Sequence, residues 1–404
     1  MGRKVFQGRC PGNRGLGYNL RFMQEYPVSA TRPDTDDYRH LFLSGIPLMD
    51  VRAPVEFAQG AFPGARNLPL MNDMERHRTG ICYKEQGQEA AIELGHQLVR
   101  DEIKAARVEQ WLAFAHANPQ GYLYCFRGGL RSRITQQWLR EAGTDYPLVT
   151  GGYKALRRFL IDDFAARVDS LPLTLISGRT GSGKTRLLHD TPNPVDLEGM
   201  AEHRGSSFGR TLTEQPSQID FENRLSVAFL RATQHGQPVF LEDEGHLIGR
   251  CALPKALSDR MKQCPMMILE EPLETRVEII LQDYVVDMTR AFVDRDGTEP
   301  GFVAFREFLL GSLHRVRKRL GGQRYQSLTA IMQAALDAQA RHNDLDGHRE
   351  WIQQLLQTYY DPMYDYQLAQ KAGRIIARGD RETLAALART DIHHNKSRQP
   401  SWTI

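Results

Sequence analysis

Cysteine is scarce in this chain: five residues in 404, Cys10, Cys82, Cys125, Cys251 and Cys264, widely spaced and with no C-x-x-C pair. That pattern argues against a disulfide framework or a zinc cage, and the expectation is a protein of the reducing cytoplasm. No apolar run approaches the roughly 20 residues of a membrane-spanning helix. The basic start MGRKVFQGRC has no apolar stretch behind it, so it does not read as a secretory signal. Charge of one sign is not in excess either, with 52 Lys and Arg against 49 Asp and Glu, a net of +3. Such a balance neither requires nor forbids a nucleic-acid partner, because a basic patch can sit on a nearly neutral protein. There is no internal repeat and no long low-complexity tract.

What is present is ordinary for a folded protein: 41% hydrophobic and 25% charged residues. At roughly 150 residues per domain the length suggests about two to three domains. Residues 1–35, rich in Gly, Pro, Arg and Asn, read as a flexible leader. From 36 to 160, short apolar runs alternate with helical stretches. IPLMDV (46–51) and GYLYCF (121–126) read as strands, 89–117 and 132–143 as helices. A second block, 168–275, has strands at LPLTLISG (171–178), GQPVFLEDEG (236–245) and CPMMILEEP (264–272). The fold class expected is α/β, with one parallel-sheet domain followed by another. Residues 276–390 read as mostly helical and as a candidate RNA-binding region. Residues 391–404, with His393 and His394, read as a tail rather than a metal site.

The first chemical signal is CFRGGLRS (125–132), between a predicted strand and a predicted helix. A cysteine there meets a helix N-terminus with Arg127 and Arg131 nearby, all of which favour the thiolate. Gly128 and Gly129 let the loop turn its amides inward as an anion nest. Such a thiolate can attack or carry sulfur or selenium. A buried, inert cysteine is the plainer reading of a lone Cys, and the C-x5-R spacing also suits a cysteine phosphatase.

The second signal is GRTGSGKT (178–185), a full G-x-x-x-x-G-K-[ST] between an apolar strand and a helix. Gly178, Gly181, Ser182 and Gly183 let backbone amides surround a phosphate, and Lys184 adds a charge. Thr185 can ligate Mg²⁺. VFLEDEG (239–245) ends in Glu242, Asp243 and Glu244, candidates for holding metal or positioning water. The bland alternative is a solvated acidic strand end. No purine-recognition motif is evident, so the loop says phosphate or diphosphate without saying ATP.

Three stretches flank the cysteine loop: DVRAPVEF (50–57) and GAFPGA (60–65) before it, and GGYKA (151–155) after it. Together they resemble a rhodanese domain, which implies sulfurtransferase-type chemistry at Cys125, with Asp50 and Arg52 as structural residues. With the P-loop, DLEG (196–199), HRGSSFG (203–209), FEN (221–223) and YYDPMY (359–364), the chain from about 37 to 380 is similar to the tRNA 2-selenouridine synthase family. That resemblance implies exchange of the 2-thio sulfur of a wobble uridine in the tRNA anticodon loop for selenium. Selenophosphate is the implied donor, with its synthase as a possible partner, and an S-geranylated intermediate from geranyl diphosphate is implied too. No permanent cofactor and no membrane are expected.

His203 and Arg204 are substrate candidates. Arg315, Arg317, Lys318, Arg319 and Arg324 are candidates for RNA phosphates, and Tyr359, Tyr360, Tyr364 and Tyr366 for base stacking. Solvated helix faces and packing tyrosines are the competing reading of both sets. One departure from the family is His246, where members often carry arginine; a neutral histidine would weaken a phosphate contact there. Two other functions fit parts of the pattern: a P-loop NTPase or kinase with an accessory sulfurtransferase module, and a non-catalytic tRNA-binding protein.

Overall fold

The computed structural model describes residues 32–234 and 236–390. Most of the leader and the tail with His393 and His394 therefore lie outside the described residues. The first domain is built on three short strands, β1 (Leu48–Asp50), β2 (Ala65–Asn67) and β3 (Tyr122–Tyr124), parallel in the order β2-β1-β3. Parallel bridges Leu123↔Leu148 and Thr35↔Val149 extend the layer. The strands expected at 46–51 and 121–126 are these, shorter at their ends. The helix expected over 89–117 is two, Gln88–Leu98 and Asp101–Ala117. The break falls where Val99 turns into the core at 3% exposure and Asp101 takes φ 49°. No glycine or proline marks that break, so periodicity alone runs through it.

The second domain contributes β4 (Leu173–Gly178), β5 (Pro194–Val195), β6 (Val239–Glu242), β7 (Leu247–Ile248), β8 (Cys251–Ala252), β9 (Met266–Leu269) and β10 (Ile375–Gly379). β7 and β8 form a small antiparallel hairpin. The other five make one parallel sheet, β10-β9-β4-β6-β5. Every residue of β4 is buried, as a parallel strand covered on both faces requires. One core packs Leu175, Leu241 and Ile268 against Phe221 and Leu225; the other packs Ile176, Phe240 and Met267 against Leu187 and Leu384. The chain crosses from one side of β4 to the other between β6 and β9. The crevice at the carboxyl ends of the strands, beside that reversal, is where such sheets bind ligands.

The region after β9 is helical, as expected, around a core of Phe305, Leu309, Met332, Leu336 and Trp351. It contains two single π-helical turns, Gln282–Val286 and Leu356–Tyr360. Reading 276–390 as one helical stretch did not resolve β10, which returns to the sheet edge beside β9.

The two domains share a packed seam. Val227 and Leu230 of the helix Gln218–Ala232 sit in the same core as Leu41, Phe42, Tyr124 and Leu156 of the first domain. Asn223 donates to the Ala61 carbonyl at 2.7 Å and accepts from Arg157 at 2.8 Å, while the Ala61 amide donates to Asp220 at 2.6 Å. Arg157 also pairs with Glu222. The Phe-Glu-Asn segment is thus structural: Phe221 fills the P-loop core and its neighbours fasten the domains. No helix among the described residues is long and apolar enough to cross a membrane.

Candidate active site: a phosphate cavity and a cysteine loop

A cavity of about 640 Å³ opens at the carboxyl end of β4. The phosphate loop forms its floor. Gly181 has φ 79°, and a Cβ there would lie 2.6 Å from Ile280, so only glycine fits. Ser182 is 3% exposed and its hydroxyl has no hydrogen-bond partner among the described residues. Lys184 Nζ donates to the Gly178 carbonyl at 3.2 Å, which leaves two of its three N–H groups for a ligand.

The acidic candidates separate. Glu242 is fully buried, outside the cavity lining, and accepts the Leu197 amide at 2.9 Å. Burial and nearby Asp196 push its carboxyl well above the ordinary range; its place outside the cavity lining removes it from the metal candidates. Asp243 and Glu244 do line the cavity. Asp243 accepts from Ser177 at 2.8 Å and from Lys371 at 2.7 Å. Glu244 lies beside Glu198, and burial together with that neighbour pushes its carboxyl up to about 8. Burial raises Glu198 as well, against the pull of Lys184. Glu198 Oε2 is 3.5 Å from the Thr185 hydroxyl. Thr185, Glu198 and Glu244 are oxygen donors only, gathered beside one lysine, and they suit a hard cation such as Mg²⁺. Among the described residues no group of three or more His, Cys, Asp or Glu side chains is placed to hold a metal by itself. Phosphate oxygens would have to complete the shell.

His203 and Arg204 also line this cavity. His203 is 8% exposed, with Nδ1 unpartnered. Burial, then Arg210 and Arg315, hold its pKa below the ordinary histidine value, so the ring is neutral at pH 7. Arg204 donates to the Asp283 carbonyl at 2.7 Å and lies over the Tyr284 ring.

The cysteine loop is less open than the sequence suggests. Cys125 is 3% exposed and packs with Met49, Val51 and Leu123. Its carbonyl accepts the Tyr153 amide at 2.8 Å. A side chain on Gly152 would collide with that carbonyl and the Gly128 amide, which explains the paired glycines under the loop. Arg131 is held by Glu56, at 2.5 and 3.1 Å. Burial opposes ionisation of Glu56, but Arg131, the Ala53 amide and Arg76 hold its carboxyl below its ordinary value. Arg127 is exposed and makes no hydrogen bond or ion pair among the described residues. The expected pair of arginines is therefore one fixed and one free. Asp50 and Arg52 form a buried bidentate pair, and Arg52 also donates to the Gly60 carbonyl at 2.8 Å.

A family model for the tRNA 2-selenouridine synthase AAA domain matches residues 171–395, and one for the rhodanese-like domain matches 36–158. The chain is 61% identical over 362 residues to a tRNA 2-selenouridine synthase of Marinobacter nauticus, covering 89% of this chain and 99% of that one. It is 55% identical to one of Alcanivorax borkumensis, covering 88% and 98%. The chain belongs to the tRNA 2-selenouridine synthase family.

In this member of the tRNA 2-selenouridine synthase family, the phosphate loop is braced from behind the cavity lining, in part by positions that motif reading did not flag. Arg276, 1% exposed, donates to the Thr180 carbonyl at 3.0 Å and pairs with Asp361 at 2.5 Å. Arg179 pairs with Asp365 at 2.8 Å. The segment YYDPMYD thus braces the phosphate loop. Tyr360 is 6% exposed, packed in the helical core at the cavity wall, whereas Tyr366 is 71% exposed. Tyr364 lines the cavity, and Tyr359 meets Arg319. Arg317 and Arg324 bond backbone carbonyls of His314 and Thr358, at 3.0 and 3.2 Å, and Lys318 is exposed. His246 is exposed ahead of the β7–β8 hairpin, outside the cavity lining.

Proposed function

We propose that this enzyme acts on tRNA, replacing the sulfur of a wobble 2-thiouridine with selenium from selenophosphate, through an S-geranylated base made from geranyl diphosphate. The observation that carries the reading is the cavity around Lys184, Thr185, Glu198 and Glu244, joined by a packed seam to a rhodanese-like domain bearing Cys125. A diphosphate fits the phosphate loop, with Lys184 and the loop amides taking up the charge that develops on it as it leaves. The 2-thio sulfur attacks the prenyl carbon, the carbon–oxygen bond breaks, and diphosphate departs. A Mg²⁺ ion held by Thr185 with Glu198 and Glu244 would neutralise part of the leaving-group charge. The alkylated sulfur is then the better leaving group at C2 of the base: the selenium of selenophosphate attacks C2, geranylthiol departs, and water cleaves the Se–P bond to leave selenouridine and phosphate, with the Cys125 loop delivering the donor.

The burial of Cys125 sets a condition on this step. The loop 126–129 must yield before the sulfur meets a donor or a base. Glu56 keeps Arg131 in place beside it meanwhile.

Mass spectrometry of tRNA nucleosides tests the scheme, after incubation with enzyme, geranyl diphosphate and selenophosphate. Cys125→Ser should accumulate the geranylated nucleoside and yield no selenouridine. Selenouridine formed at the wild-type rate by that variant would remove Cys125 from the chemistry. ATP hydrolysis with neither nucleoside formed would support the NTPase reading instead.

A further inference from the structure

A second groove, of about 760 Å³, adjoins the phosphate cavity. The two share Glu202, His203, Gly205, Ser206 and Thr211 as a common wall. The outer groove runs between the segment 202–215, the β7–β8 hairpin and the helices Thr298–Arg315 and Arg317–Leu320. Four arginines line it: Arg210, Arg250, Arg315 and Arg319.

None of the four has a carboxylate partner among the described residues. Arg315 bonds the Ser207 carbonyl at 2.8 Å and the Ser312 hydroxyl at 2.6 Å. Arg250 bonds the Gln215 carbonyl. Among the described residues the Arg319 side chain bonds the Tyr359 hydroxyl alone, at 3.4 Å, and the Arg210 side chain makes no hydrogen bond or ion pair. Elsewhere in the same helical region Arg306, Arg349 and Arg295 are neutralised by Asp337, Glu278 and Asp296, whereas Arg317 and Arg324 meet only backbone carbonyls. Two carboxylates touch the groove. Glu202 is tied to Arg224, and Glu214 is exposed. Burial first, and then the neighbouring charge of Arg210, depress the pKa of Arg315. Leu247, 58% exposed, offers the groove an apolar face. At the junction with the phosphate cavity stands His203, more than nine-tenths buried, with an unpartnered ring nitrogen.

We infer that this groove carries the sugar-phosphate backbone of the RNA substrate, with Arg210, Arg250, Arg315 and Arg319 on successive phosphates and one nucleotide passing His203 into the phosphate cavity. The inference rests on the reading of the enzyme as acting on tRNA. A row of arginines without counter-ions is the electrostatic footprint of a polyanion, and contacts to phosphates set register while the cavity selects the base. A single diphosphate would be served by the loop alone and would need no row of charges outside it.

The test is the affinity for a tRNA bearing 2-thiouridine, measured across a salt series. Arg210 and Arg319 are chosen because neither braces backbone. The R210A/R319A variant should bind at least about tenfold more weakly, and the slope of log affinity against log salt should fall by about two. R210K/R319K should recover most of both, and Arg341→Ala, at an exposed arginine outside the groove lining, should match wild type. Inorganic pyrophosphate, titrated into each protein, should bind equally in all. Wild-type tRNA affinity and slope in R210A/R319A would overturn the groove. So would an equal loss of pyrophosphate binding, which would assign the arginines to the small ligand. Wild-type enzyme that binds pyrophosphate but no tRNA would bring down the tRNA reading itself, and the groove with it.

Discussion

Asp50 and Arg52 are enclosed so completely that neither can exchange its partner for water: their side chains are 0% and 2% exposed. A charge left behind in that setting costs far more than the pair contributes when intact. Asp50→Asn should therefore destabilise the rhodanese-like domain by roughly 3–5 kcal/mol, read as a lower midpoint in urea unfolding. Cys125 stands directly after β3, one position beyond Tyr124, the register partner of Asp50. Its identity as the reactive candidate was legible because a strand, two glycines and a helix follow one another without interruption. Its burial was not, since exposure depends on Met49, Val51 and Gly152, which the chain brings from both sides. Among the acidic trio, spacing could not say which carboxyl faces ligand. The answer lies in the alternation along β6, which turns Glu242 toward the Leu197 amide while Asp243 and Glu244 pass the strand end.

The elements around the phosphate loop show the same division. Strand, loop and first helix are contiguous, so the motif could be placed from sequence. The brace is not contiguous: Asp361 lies 85 residues from Arg276, and Lys371 lies 128 residues from Asp243. Both reach the site through the π-helical turn Leu356–Tyr360 and the helix after it, and the other π turn delivers Asp283 and Tyr284. Such one-residue insertions rotate side chains off the regular helical face and recur at functional sites. Asp361→Asn should loosen the Thr180 carbonyl by freeing Arg276. We expect about a tenfold loss in diphosphate affinity, measured by calorimetric titration, with tRNA affinity little changed.

Across the whole molecule, the seam makes the two domains one mechanical unit. Arg157 donates to Asn223, Asn223 and Asp220 take up the Ala61 carbonyl and amide, and Arg231 donates to the Phe42 carbonyl at 2.9 Å. Loss of the polar fastening should uncouple unfolding. R157A/N223A is expected to show two calorimetric transitions where the wild type shows one. The fold class was readable from the alternation of strands and helices, but the seam was not, because its helix reads as an ordinary amphipathic segment of the second domain.

The late return of the chain at β10 has a consequence for biosynthesis. Lys371, the edge strand Ile375–Gly379 and the helix Arg381–Arg389 are made long after the phosphate loop, yet they complete its sheet and its inner charge balance. On the ribosome, the rhodanese-like part can collapse early, while the second domain waits for nearly four hundred codons to be read. A premature stop before residue 371 would thus release a protein with a finished rhodanese-like domain and an open parallel sheet, exposing the flank of β9 to its neighbours.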